Sequence, residues 1–260
     1  MCTHIGAFYV NLFPDPKLLT IGAVLAGAVL PRVIEYLAIV LVAIAITDCF
    51  NDLVNKLSET NDQMYRDQEN LISSLSTMIE MQSQETGMHV RRVSEYTKIL
   101  CRALGYDETE TWKIGMAAMM HDVGKIAVPR EILEKPGKLS DEEFVAIKRH
   151  IFYGKEILEQ YPGEIMQLSA NIAYQHHEKF DGTGYMGLRG TEISREAQCV
   201  ALSDFFDALV SKRSYKEAWS PEKARAEVLA QKNKYFDPYL VNLFDIHFVD
   251  FLEVYRKYPD

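Results

Sequence analysis

Ile114-Gly-Met-Ala-Ala-Met-Met-His-Asp-Val-Gly-Lys125 is an apolar run that closes on an imidazole, a carboxylate and, three residues on, an ammonium. The run Ile114–Met120 is expected to be a helix, and a His-Asp pair at its end sits at the rim of a core. A single histidine oriented by its neighbouring acid is the plain reading of such a pair. Gly124 and Lys125 argue for more, because a small residue permits close approach and a lysine can reach a phosphate. On either side of this run the chain reads as a string of helices. Asp107 with Glu110, and Ser140 with Glu143, have capping-box spacing, in which the first side chain accepts from an exposed N–H and the acid reaches back. Ser220-Pro221 and Asp237-Pro238 place a capping residue before a proline, whose missing N–H is not needed at the first helical position. Lys135-Pro-Gly-Lys138 and Asp181-Gly-Thr-Gly184 are the clear breaks. No alternating strand pattern of useful length is present, so residues 85–260 are expected to form an all-α globule.

Two segments precede it. Residues 1–50 are the most apolar, with nearly uncharged runs Leu18–Leu30 and Tyr36–Thr47 separated by Pro31, Arg32 and Glu35. Neither run alone reaches the ~20 residues a membrane-spanning helix needs. Extended by their flanks they read as an apolar helical hairpin associated with a membrane through 18–47, with a buried soluble hairpin as the alternative. Residues 51–84 lack Pro and Gly, and Leu57, Met64, Leu71 and Met78 recur every seven positions. That period suggests a coiled-coil-like helical connector pairing with a copy of itself, a homodimer. A single amphipathic helix lying on the next domain is the alternative. Thr60, Asp67 and Ser74 interrupt the second seam position, so the pairing should be weak.

The composition of the 260 residues bounds the function. Hydrophobic residues at 48% and charged residues at 25% belong to a folded protein. A net charge of -9 argues against a nucleic-acid groove binder, which needs a basic face. A small phosphodiester can still be held where metals or local cations supply positive charge. Cys2, Cys49, Cys101 and Cys199 are far apart, which excludes a disulfide framework or zinc ribbon and fits a cytosolic main domain.

Five of the seven histidines and three acids then fall within 120 residues. Glu85 and His89 are four apart and share a helix face, although such a pair alone is ordinarily a surface feature. His121-Asp122 closes the central run. His150 follows Lys148-Arg149 and by itself would be a solvated histidine. His176-His177 project in different directions from a helix, which suits two neighbouring metals better than one structural role. Asp204 follows the apolar run Cys199–Leu202 and needs a partner, because burying an unpaired carboxylate is costly. Mixed imidazole and carboxylate ligands suit iron, manganese or zinc, whereas calcium and magnesium prefer oxygen. Eight ligands exceed one ion's need, so two or three divalent ions are expected.

Glu85…His89, His121-Asp122-Val-Gly-Lys125, Lys135-Pro-Gly-Lys138, His150, His176-His177-Glu-Lys-Phe-Asp-Gly-Thr-Gly-Tyr185 and Asp204-Phe-Phe-Asp-Ala-Leu-Val-Ser-Lys-Arg213-Ser-Tyr-Lys216 resemble HD-GYP domains in order and spacing, over residues ~80–245. The resemblance implies an all-helical HD-type bundle that hydrolyses cyclic di-GMP to pGpG or GMP, with water activated between iron or manganese ions. It places metal ligands on Glu85, His89, His121, Asp122, His150, His176, His177 and Asp204. It puts catalytic roles on His121, Asp122 and Lys125, and substrate contacts on Lys125, Tyr185, Asp207, Arg213 and Lys216. Glu85 is the acid it associates with three-metal sites. Asp122 is expected to bridge two ions. One departure stands out: after Gly184-Tyr185 comes Met186 in place of the family's proline, and Gly187-Leu188 follows directly, so the loop is one residue shorter and loses a fixed φ. That leaves two other readings open: a phosphodiesterase for cyclic GMP-AMP, or a weakly active cyclic di-GMP sensor signalling through residues 51–84. The implied location is a cytoplasmic catalytic domain anchored at the inner face of the membrane.

Overall fold

The computed structural model describes residues 16–81, 87–135, 137–212 and 217–259. The chain divides into two compact units, Met1–Tyr65 and Arg66–Asp260, with the boundary inside the expected connector. Among the described residues no strand occurs, and the one isolated bridge pairs Lys232 with Phe236.

The long helix α1 (Pro16–Glu80) replaces the hairpin expected from residues 18–47. Pro31 lies inside it, removing one backbone bond, but residues 32–47 contain no glycine or asparagine that could turn the chain. Arg32 and Glu35 instead pair across one turn at 3.6 Å. In the first unit the apolar side chains from Ile21 to Ile46 are exposed, apart from half-buried Ala26 and Val40. One window of this helix is long and apolar enough to cross a membrane, with a mean hydropathy of 2.3.

The second unit contains α2 (Gly87–Leu104), α3 (Glu108–Ala118), a 3₁₀ segment (Val123–Ala127), α4 (Arg130–Leu133), α5 (Asp141–Lys148), α6 (His150–Glu159) and α7 (Glu164–Gln175). After these come α8 (Arg195–Val210), α9 (Pro221–Ala230), α10 (Pro238–Ile246) and α11 (Phe248–Lys257). The caps explain the starts. Asp107 with Glu110 and Ser140 with Glu143 close reciprocal boxes on α3 and α5. Ser220 and Asp237 accept from the first-turn N–H groups of α9 and α10.

Aromatic packing holds the far end of the bundle. Tyr96 stacks on Phe251 with ring centres 4.6 Å apart, and Phe206 and Phe244 meet these rings edge-on. A second cluster (Val93, Ala117, Ala118, Ile172, Ala197, Val200) is built from small residues, so α2, α3, α7 and α8 approach closely around the turn that carries His121 and Asp122. Gly124 belongs to the same economy of space. A Cβ there would collide with the His150 carbonyl oxygen and the Gly154 backbone nitrogen, so only glycine lets the 3₁₀ segment lie on α6.

Candidate metal centre

Helix ends build the site. His121 and Asp122 occupy the turn after α3, His150 opens α6 directly after α5, and His176 caps α7. The last turn of a helix has carbonyls short of intrahelical donors, and three imidazoles use them. Nδ1 of His121 donates to Ala118 O at 2.8 Å, that of His150 to Ile147 O at 2.7 Å, and that of His176 to Ala173 O at 3.0 Å. A carbonyl can only accept, so each Nδ1 carries a proton and each Nε2 is the atom turned to the interior, open to a metal once free of its own proton. The negative ends of α3, α5 and α7 face the same place, which favours a cation there.

The lone pairs converge on Asp122. His150 Nε2 lies 3.2 Å and His176 Nε2 3.6 Å from its Oδ1, while His121 Nε2 lies 3.2 Å from its Oδ2. These are ion-pair distances without hydrogen-bond geometry: Nε2 of His121, His150 and His176 and Oδ1 of Asp122 are buried with no hydrogen-bond partner. Leaving one such atom unsatisfied costs ~1–3 kcal/mol; four around one point fit a bound cation. Three sets of candidate ligands meet here: Glu80, His121 and Asp122 offer atoms within 4.8 Å of one another, and two further groups each combine several histidines with one acid. Asp122, His150, His176 and His177 offer atoms within 4.8 Å of one another, and so do His89, His121 and Asp204. Nitrogen and carboxylate donors in this mixture suit transition metals, and the residues present fit divalent ions in both groups.

Electrostatics agree. Burial disfavours the imidazolium of His121, yet the charge of Asp122 beside it prevails and pushes its pKa up to about 9, the response of a site that wants a positive charge. Burial holds His176 below the usual imidazole range and His177 well below it, so both remain neutral donors. Burial opposes the Asp122 carboxylate, but Lys125 and His121 overcome it and keep the group ionised.

A cavity of about 350 Å³ opens over the centre, lined by Asp122, Lys125, His177, Tyr185 and Asp204 among others. Tyr185 lies against His177, ring centres 4.6 Å apart, and Lys148 Nζ sits 5.0 Å above its ring. Burial pushes the Tyr185 phenol up to about 12, so it is a neutral wall of the cleft. Buried Glu178 holds the loop that carries it. Its two oxygens accept from the N–H groups of Met186 at 2.7 Å and Leu188 at 2.8 Å. Proline at 186 could not make the first of these bonds, so the departure from the family pattern exchanges a fixed φ for a hydrogen bond.

Seven of the eight expected ligands come together: His89, His121, Asp122, His150, His176, His177 and Asp204. Glu85, Arg213 and Lys216 lie outside the described residues. Asp207 corrects the expectation of a substrate contact. It is 0% exposed and receives His89 Nδ1 at 2.8 Å, Arg92 Nε at 2.6 Å and Ser211 Oγ at 3.1 Å, so it has no surface left for a ligand. It orients His89 as a carboxylate orients a metal-binding imidazole. Arg92, equally buried, bridges Asp207 to the carbonyl of Tyr258 at 2.9 Å. Glu80 is a further acid that sequence reasoning passes over; it is buried, with Oε2 3.1 Å from Lys125 Nζ. The signal for Glu178 was its place directly after the two histidines; Arg92 and Glu80 carry no local signal.

A family model described as an HD domain matches residues 73–240. The chain is 42% identical over 191 residues to the 3'3'-cGAMP-specific phosphodiesterase 2 of Vibrio cholerae, covering 73% of this chain and 37% of that protein. It is 42% identical over 187 residues to the cyclic di-GMP phosphodiesterase response regulator RpfG of Xanthomonas campestris, covering 72% and 49%. Over 209 residues it is 35% identical to a cyclic di-GMP phosphodiesterase of Thermotoga maritima, covering 78% and 57%. The chain thus spans less than two thirds of each of these relatives. In fold it resembles a cyclic GMP-AMP-specific phosphodiesterase of Vibrio cholerae (TM-score 0.52, 16% identity, 74% of this chain and 54% of that one). It also resembles an HDG"Y"P protein of Bdellovibrio bacteriovorus (TM-score 0.52, 21% identity, 74% and 64%).

Proposed function

The chain belongs to the HD domain family, in its HD-GYP form, and from that premise we propose that it is a metal-dependent phosphodiesterase that hydrolyses cyclic di-GMP. The observation that carries this reading is the convergence of three proton-fixed imidazoles on Asp122 beneath a cavity that also holds Lys125. Divalent ions bound there, iron or manganese by the donor set, supply Lewis acidity and ionise water at neutral pH. Asp122, with Oδ1 beside His150 and His176 and Oδ2 beside His121, would be the carboxylate shared between ions. His89 and His121 with Asp204 complete one side, and His150, His176 and His177 the other, with Glu85 as a further ligand. Lys125 meets the phosphate as a point charge, Tyr185 walls the cleft, and Arg213 and Lys216 supply further cations to the dinucleotide.

Residues 18–47 are read as a membrane anchor, supported by an apolar helix that rises about 45 Å at ~1.5 Å per residue, more than the ~30 Å of a hydrocarbon core. Leu57, Met64, Leu71 and Met78 are exposed on α1, which supports pairing with a second copy and a cytoplasmic catalytic unit that receives a signal through the helix. The substrate is tested by turnover of metal-loaded full chain on a panel of cyclic di-GMP, cyclic GMP-AMP and linear pGpG. Cyclic di-GMP is expected to have the highest kcat/KM. Preference for the mixed dinucleotide would move the assignment, and binding without product would make the domain a sensor.

A further inference from the structure

Glu80 is the last residue of α1 and is 2% exposed, although no ligand motif calls for an acid there. It belongs to one stripe of the helix, Glu69, Ile72, Ser76 and Glu80, at helical spacing. Glu69 reaches Lys98 at 3.6 Å, Ile72 packs on the Met120, Leu158 and Ala173 cluster, and Ser76 is buried. Leu71 and Met78 stay exposed. The final turns of α1 are therefore docked by the stripe that ends in Glu80. There the carboxylate accepts from Lys125 Nζ at 3.1 Å, and the same ammonium stands 2.7 Å from Asp122 Oδ2.

A lysine ammonium is a compact charge on a flexible four-carbon stem, with three donors and no geometry of its own. Two buried carboxylates on either side remove that freedom. We propose that Glu80 is a positioning residue for Lys125, so that the end of α1 sets where the ammonium meets the substrate phosphate. The inference rests on the phosphodiesterase reading for the task of Lys125. Glu80 also lies within 4.8 Å of ligand atoms of His121 and Asp122; its assignment to the lysine rests on the 3.1 Å contact of Oε2 with Lys125 Nζ, and metal content separates the two roles. Pre-organisation of this kind acts on the reacting complex more than on folding. A shift of α1 along its axis would change the Lys125 contact before it disturbed any of the imidazoles.

The test uses full-length, metal-loaded protein carrying E80A, E80Q, K125A and the double change E80A/K125A. Glu80→Ala is expected to lower kcat/KM about tenfold, at unchanged metal content per chain. Glu80→Gln keeps an acceptor oxygen and should lose less than about threefold, and Glu80→Ala should add nothing once Lys125 is alanine. Metal loss in E80A and E80Q would overturn the proposal in favour of a ligand. A gain in turnover would make Glu80 a brake on Lys125, and a fall in Tm with unchanged kcat/KM would leave it a packing residue; either defeats the proposal. Should the wild type turn over no cyclic dinucleotide, the parent reading fails by itself. The pair is then read in thermal unfolding of the metal-free chain, where additive Tm shifts of E80A and K125A would refute the contact and non-additive shifts support it.

Discussion

Asp207 stays ionised inside the protein because donors hold it there. Burial pushes its pKa up, but the bonds from His89 and Arg92 outweigh burial and lower it below 3.8. A depressed carboxylate contributes stability that is fully present above its unfolded pKa of 3.8 and is lost as pH falls through the lower folded value. Asp207→Asn leaves Arg92 buried without its counter-charge, at a cost on the order of 3–5 kcal/mol near neutral pH. Denaturant midpoints of the metal-free protein and D207N should therefore differ at pH 7 and draw together below pH 3.8; a gap independent of pH would contradict the buried pair. At this scale the candidate ligands are legible only as a set, because each histidine or acid alone has an ordinary structural use and five histidines with three acids in 120 residues do not. Asp207 is not, since its partners Arg92 and His89 stand 115 and 118 positions away and nothing local separates a second-sphere acid from a cleft acid. Glu80 is hidden for the same reason, its task depending on where Lys125 comes to lie.

Among the elements, the 3₁₀ segment Val123–Ala127 is the one whose placement the centre can least spare. It lies on α6 only because Gly124 has no side chain, and it joins Asp122 to Lys125. Gly124→Ala forces the segment away from His150, an overpacking change worth ~1–3 kcal/mol, and pulls Asp122 from its imidazoles. The expected result is a metal affinity at least about tenfold weaker by chelator competition, with helical content retained. Wild-type affinity in G124A would show that the close approach is unimportant. Element starts are legible wherever a cap states them, as Asp107, Ser140, Ser220 and Asp237 do. The expected hairpin does not form because residues 32–47 after Pro31 include no glycine, asparagine or aspartate to turn the chain, and the helix proceeds. The break between α5 and α6 is equally silent in the sequence: Lys148-Arg149-His150 has no glycine or proline, yet one helix ends and the next begins there, with His150 3.2 Å from Asp122.

For the whole molecule, an all-α architecture with small residues packed around one turn concentrates seven candidate ligands contributed by five regions of sequence. The all-α class follows from caps and apolar runs; the convergence of helix ends on Asp122 is a property of packing alone and has no signature in any single segment. An acidic chain of net charge -9 can engage a dianionic dinucleotide only if charge is supplied locally, which puts the burden of binding on the metals and a few cations. The most direct measurement is metal content and cyclic di-GMP turnover on one anaerobically purified sample of wild type and of D122A. The wild type should carry about two ions or more per chain and hydrolyse the dinucleotide, and D122A should lose both together. Full turnover in D122A, or a wild type that hydrolyses cyclic di-GMP after its metals have been stripped, would contradict a centre built on that carboxylate.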